Sequence, residues 1–180
     1  EASDEALRNA ANSLEGRLLV GMINSIGIRR DAKAVDSLTA KLHDADAEVA
    51  SAAAVALGLI GNSDATKSLR DALAAAPANV RSAVAEGCVL CAERLHGEGN
   101  SLAAVEIYDQ VRTSEVPTQR IIEATRGAIL ARGQDGIPLL IETFQLTDNR
   151  MFQLALGTVR EFPGGDVDQA LAAELARATP

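Results

Sequence analysis

Two thiols three residues apart, Cys88 and Cys91, are the side chains whose type and spacing come nearest to chemistry. A Cys-x-x-Cys pair can supply half of a zinc site, or a dithiol close enough to oxidise. Zinc needs four ligands. The two histidines, His43 and His96, stand singly, and no fourth ligand accompanies Cys88, Cys91 and His96. Both thiols also fall on an apolar stripe with Val80, Val84, Gly87 and Leu95 at helical spacing. There cysteine behaves as a small hydrophobe, so a core role is preferred over a redox pair. His43 and His96 each close a helical pattern and are read as helix-end residues facing the carbonyl dipole, with haem ligation as the other reading. The Arg29-Arg30-Asp31 run can meet an anion or tie down a helix end. No nucleophile, base and orienter can be assembled, and no Gly-x-Ser-x-Gly elbow occurs. The Gly97-Glu98-Gly99 turn carries an acid and lacks the Lys-Ser/Thr of a phosphate loop. No catalytic residue, cofactor or metal is expected.

Bulk composition narrows the field further. Net charge is −8, from 17 basic and 25 acidic residues. The basic residues are scattered, whereas a nucleic-acid surface needs them clustered to displace counterions. Nucleic acid and anionic membrane surfaces are therefore not expected as partners, and no apolar run reaches the roughly 20 residues of a membrane span. Aromatics make up only 2% of the chain and tryptophan is absent. The apolar mass is Ala, Leu, Val and Ile, which favours helices that approach one another closely. No signal peptide is visible, and a chain that starts at Glu1 is expected to be a fragment or processed form.

The elements that would position any site come from a repeat. Glycine recurs at Gly27, Gly61, Gly97, Gly133 and Gly164, each time near the end of one helical pattern and shortly before another. A period near 34 residues marks stacked helix pairs. Gly27 is expected to close its helix in a left-handed conformation. The predicted fold is all-α, a right-handed α-α superhelix (α-solenoid) of about five helix pairs plus an N-terminal helix. It forms a single domain over 1–180, with a capping helix at 1–15 and repeats at 16–43, 44–76, 77–113, 114–147 and 148–180. Repeat two is the clearest: Val49, Ala52, Ala53, Ala56, Leu57 and Ile60 line one face, and Ala65, Leu69, Ala72 and Leu73 line its partner helix. In repeat five, Phe152, Ala155, Leu156 and Val159 form the first inward stripe. Phe162-Pro163-Gly164-Gly165 forms the turn, and Val167, Leu171 and Leu175 the last stripe.

Repeat two resembles a HEAT repeat of the short, alanine-rich type also found in phycobilisome lyases. The likeness rests on Asp44, Asp46, Val49, Ala53, Ala56, Leu57, Gly58, Ile60, Gly61, Ala65, Leu69 and Leu73. Val80-Arg81, Gly133 and Ile137-Pro138-Leu139-Leu140 extend it. Repeat three departs from the pattern: its wider turn and Ala104-x-x-x-Tyr108 are similar to a tetratricopeptide unit, which puts the local curvature in question. The order of repeats is also similar to helical segments of large exported bacterial multidomain proteins. That likeness implies a parent in the periplasm or at the cell surface, with a cytoplasmic location left open.

The resemblance implies a fold and a binding surface. In such stacks the second helices line the concave side, which puts Lys33, Asp36, Lys67, Arg70, Asp71, Glu106, Asp109 and Glu142 away from the core. Leu139 and Leu146 project outward as well, either as a contact patch or as packing for the next repeat. The expected role is a monomeric, non-catalytic scaffold for a protein partner, or a structural spacer among other domains of the parent chain. The alternative is a HEAT-type enzyme acting on nucleic-acid bases or tetrapyrroles. Base excision needs stacking aromatics and a basic groove, and of Tyr108, Phe144, Phe152 and Phe162 three read as core. Leu57→Asp tests the packing assignment: burying an unpaired carboxylate should abolish the cooperative melt followed by circular dichroism. An unchanged melt would reject the assignment.

Overall fold

Side-chain caps decide where several helices begin. Asp46 accepts a hydrogen bond from Glu48 N at 2.9 Å, Asn62 from Ala65 N at 2.8 Å and Asp148 from Arg150 N at 2.8 Å. In the computed structural model, which describes residues 2–162 and 165–178, these open α4 (Ala47–Ile60), α5 (Ser63–Leu73) and α10 (Asn149–Val159). The remaining helices are α1 (Ala2–Ala11), α2 (Gly16–Ile28), α3 (Val35–Lys41), α6 (Ala78–Gly97), α7 (Ser101–Arg112), α8 (Thr118–Ala131), α9 (Ile137–Gln145) and α11 (Asp166–Ala178). Short 3-10 turns at Ala32–Ala34 and Gly133–Gly136 lead into α3 and α9. No strand occurs among the described residues.

The helices pile up in chain order as an α-α superhelix of two layers. In one layer α2, α4, α6, α8 and α10 pack each on the next. In the other, α3 packs on α5 and α9 on α11. Helix α1 covers the outer side of α2, held by ion pairs from Arg8 to Asp31 and from Arg29 to Asp4. The principal core runs from Ala11 to Ala131, and a smaller one gathers Ile129, Leu140, Ala155 and Val167.

Small residues bring the first layer together. A Cβ placed on Gly58 would sit 2.6 Å from Gly87 Cα, and one on Gly87 would sit 2.5 Å from the Ala54 carbonyl oxygen. Gly27 meets Ala56 in the same way, 2.8 Å from its Cα. Arginines then lace the repeats together. Arg94 Nη1 donates to Ile60 O at 2.6 Å, Arg81 Nη1 to Glu115 O at 3.2 Å, and Arg120 Nη2 to Glu86 Oε2 at 2.7 Å. Each of these bonds spans 34 residues, one repeat of sequence.

The glycine period needs correction in detail. Gly27 lies inside α2 in a helical conformation, and the left-handed residue is Arg30, φ 52°. Arg30 corresponds to Gly61, φ 60°, and the caps Asp31 and Asn62 follow them. Gly27 corresponds instead to Gly58, because both serve helix approach rather than a turn. Gly97 likewise ends α6 in helical geometry, and Gly99 is the left-handed residue, φ 84°.

Repeat five is rotated from its predicted face. Met151, Ala155 and Thr158 are buried on α10, while Phe152 and Leu156 are 39% and 44% exposed. Leu175 is also exposed, and Val167 is the buried residue of α11. The hydrophobic pattern contains both stripes, and among the described residues α10 has only α8 as a neighbour in its layer to choose between them. Pro163 and Gly164 of the expected turn lie outside the described residues.

The seam at Gly87 is open to a stability test. Gly87→Ala should destabilise the fold by about 1–3 kcal/mol, because the clash is with backbone that cannot step aside. Gly21→Ala, on an open stretch of α2, should instead stabilise by roughly 0.5–1 kcal/mol through helix propensity. Urea denaturation of the two variants checks both signs.

Candidate functional site

A groove opens in the second layer where α5 and α7 fail to pack closely. Its origin is the length of α6, which has 20 residues against 14 for α4. Through Cys88 the two helices correspond residue for residue, with Val80 in the place of Val49, Val84 of Ala53, Gly87 of Ala56 and Cys88 of Leu57. Helix α4 stops three residues after Leu57, whereas α6 continues to Gly97 before Gly99 turns the chain. The overhang carries Arg94 and Leu95, and α7 starts from its far end.

The groove holds about 620 Å³ and is lined by the start of α5, the end of α6 and Gln110 of α7. Arg70 crosses it. Its Nε donates to Gln110 Oε1 at 2.8 Å, and Gln110 Nε2 donates back to Arg70 O at 3.1 Å. Arg70 Nη1 lies 3.7 Å from Glu106 Oε2, on the same side of α7. Lys67 Nζ pairs with Asp71 Oδ2 at 3.1 Å one turn along α5. On the opposite wall Arg94 Nε donates to Glu98 Oε1 at 2.8 Å. The surface is an alternation of cations and anions, each already oriented by an intramolecular partner.

The structure therefore gathers Lys67, Arg70, Asp71 and Glu106 around one groove. The sequence reading missed Arg94, Glu98 and Gln110 there; the extra length of the third repeat's first helix and its wide turn were the available signal. The other candidates lie elsewhere. Lys33 and Asp36 are exposed on the approach to α3 and its first turn, one repeat earlier. Glu142 and Leu146 border a cavity of about 150 Å³ that also touches Arg112 and Met151, and Glu142 lines in addition a groove of about 430 Å³ between α9 and α11. Leu139, expected to project outward, is half-buried and packs against both cores. Asp109 is committed inside the fold: Arg112 Nε donates to its Oδ1 at 2.7 Å and Arg132 Nη2 to its Oδ2 at 2.5 Å. Burial works to raise its pKa, but the bonds from Arg112 and Arg132 together outweigh that and hold the carboxyl below its usual value.

The residues that came nearest to chemistry also find places. Arg29 and Asp31 clasp α1. His96 Nδ1 lies 3.0 Å from Ser101 Oγ on the exposed end of α6. Cys88 and Cys91 are reduced and buried under the groove floor. Cys91 Sγ lies 3.9 Å from Gly58 O, and burial pushes the Cys88 thiol up to about 12. Among the described residues no group of three or more His, Cys, Asp or Glu is placed to hold a metal, and no helix is long and apolar enough to cross a membrane.

With the helix pairs, their caps and their seam described, the comparison with known families is direct: residues 4–88 match the family model of HEAT repeats. These residues are similar to HEAT repeats, and the helix pairs they form are those of an α-solenoid. No curated protein is significantly similar in sequence. In fold, 92% of the chain is similar to a chain in the complex of CpcE and CpcF of phycocyanin lyase from Nostoc sp. PCC7120, at 22% identity and a TM-score of 0.57. The HEAT-like chain spans 65% of that chain's length. The likeness speaks for the architecture, which continues past the family match through the overhanging third repeat.

Buried thiols make a clean prediction. A thiol whose pKa is raised by folding stays neutral in the native state, so its contribution to stability is complete below the ordinary value of 9.0. That contribution drains away as pH rises from there towards about 12. Ellman's reagent at pH 8 should leave both cysteines of the native protein unmodified and titrate two in denaturant. Rapid native labelling would place at least one thiol at the surface.

Proposed function

We propose that this chain is a non-catalytic interaction scaffold, and that the groove between α5 and α7 is where its protein partner binds. The observation that carries the reading is the gap itself. Between α5 and α7 the second layer stays open and presents oriented charged and amide side chains around a groove of about 620 Å³. Arg70, held between Gln110 and Glu106, pays little of the ordering cost of binding when a partner carboxylate or carbonyl meets it. Because Lys67 and Asp71 stand largely in solvent, their pairing contributes little by itself and can be exchanged for partner contacts. HEAT repeats commonly mediate protein contacts, and the similar chain of the Nostoc lyase is found in a complex with another chain. Both support the proposal.

A second reading is favoured by that same fold likeness: a subunit of an enzyme acting on a tetrapyrrole. It would show as a change in the absorbance of a bilin titrated into the purified chain, at stoichiometric concentration.

The scaffold reading is tested by reversing Lys67, Arg70 and Glu106 together, as Lys67→Glu, Arg70→Glu and Glu106→Lys. The last two changes keep an ion pair across the groove, so the fold should survive with an unchanged helical signal. Partners captured from an extract of the source cells by the unaltered chain should bind the variant at least about tenfold more weakly, in line with loss of central polar contacts worth over 1.4 kcal/mol. Binding should also weaken with added salt. Equal capture by the two proteins would remove the groove from the binding surface.

A further inference from the structure

Two arginines of the α5–α7 groove are oriented by the chain yet keep donors unused. Arg70 Nε is bonded to Gln110, and Arg70 Nη1 lies 3.7 Å from Glu106 Oε2. Arg94 Nε is bonded to Glu98 and Arg94 Nη1 to the Ile60 carbonyl. On each guanidinium the remaining nitrogen, Nη2, donates no hydrogen bond among the described residues. Arg120, between α6 and α8, differs: its three nitrogens go to Ser82, Glu123 and Glu86. A guanidinium carries five N–H donors in a fixed fork and no acceptor. Unused donors on a fork that is already fixed suit a carboxylate.

The placement of the two forks acts as a ruler. Arg94 flanks the start of α5, where a Cβ on Gly61 would sit 2.9 Å from Arg94 Cδ. Ser63, Thr66 and Arg70 then follow along the groove side of α5. Ser63 and Arg70 are two turns apart, about 10 Å along the axis. The forks come from opposite walls, Arg94 from α6 and Arg70 from α5. Half-buried Leu95, on the α6 wall, is the only aliphatic side chain among the lining residues. Although the chain is acidic overall, this lining sets Lys67, Arg70 and Arg94 against Asp71 and Glu98. Both acids are already bonded to one of those cations.

We propose that the groove selects an extended segment of its protein partner with the pattern acid-x-aliphatic-acid. The proposal rests on the groove being the partner-binding surface and adds the chemistry that it selects. An extended chain advances about 3.3 Å per residue and turns successive side chains to opposite sides. Acids at the first and fourth positions are therefore about 10 Å apart and face opposite walls. One meets Arg94 and the other Arg70. The third position shares the side of the first, which sets an aliphatic side chain against Leu95.

The test titrates the 180-residue chain with capped hexapeptides at low salt, followed by ¹H–¹⁵N NMR. The first peptide is Gly-Glu-Ala-Leu-Glu-Gly. The second has Gln in place of both Glu, and the third, Gly-Ala-Leu-Glu-Glu-Gly, keeps the composition but makes the acids adjacent. The first should shift the amides of Thr66, Leu95 and Gln110. The second should bind at least about tenfold more weakly, and the third at least about threefold more weakly. Arg70→Gln should weaken the first peptide at least about tenfold and leave the second unaffected. No shift with either of the first two peptides, or equal binding of both, would overturn the acidic pattern. Loss of extract partners on the triple charge reversal would then still uphold the groove as the binding surface, so the two readings fail separately. Equal binding of the first and third peptides would overturn the spacing. Equal shifts from glutarate would make a small dicarboxylate the occupant. A dimer of the chain that the first peptide dissociates in sedimentation would make a second copy the occupant. Either of these last two results overturns a partner segment.

Discussion

Backbone-to-backbone contact between α4 and α6, at Gly58 and Gly87, is the constraint on which the rest of this structure depends. Two helices can run this close only where neither carries a side chain. The alanines around the contact, Ala53, Ala54, Ala56 and Ala85, are fully buried although each has little surface to bury. Their packing is dense because the axes are near, and dispersion contacts accumulate with that proximity. This explains how a chain with 2% aromatic residues and no tryptophan maintains its principal core, from Ala11 to Ala131. The seam also sets the orientation of α6, and through it everything downstream.

The groove is a consequence of the same helix. Its first three turns obey the repeat and lock against α4; its last turns have no counterpart in α4 and project beyond the stack. A helix that overshoots must hand the chain back from further away, so α7 leaves a gap beside α5. The exposed backbone at the end of α4 is then satisfied by Arg94, which reaches back to the Ile60 carbonyl. Arg70 and Gln110 bridge the other side. Polar side chains do here what apolar contact does between α3 and its neighbours, and that difference leaves the gap lined by oriented charged and amide groups.

Much of the fold could be read from residue order. In repeat two every position assigned to the inner face of the first helix is buried, and Asn62 caps the second as its type requires. Cys88 was legible as core because it falls on an apolar stripe with Val80, Val84 and Gly87 at helical spacing. The candidate site was legible only in part. Lys67, Arg70, Asp71 and Glu106 were found by projecting helices, but the same projection gave Asp109, which Arg132 draws inward from 23 residues away. Gln110 was missed because its partner is 40 residues distant. The α10 face was misassigned because Phe152 and Met151 are adjacent and both apolar, and periodicity alone cannot rank two stripes on one helix.

What the sequence by itself determined was local: where helices start and stop, which flank of each is apolar, and that the pairs recur. Those properties follow from capping, periodicity and propensity, which act over a few residues. Only the tertiary structure decided which glycines serve turns and which serve contact, where the second layer parts, and which face of α10 is buried. Each of these depends on the distance between elements about 30 to 40 residues apart, and that distance is set by helix lengths and small side chains acting together across the stack.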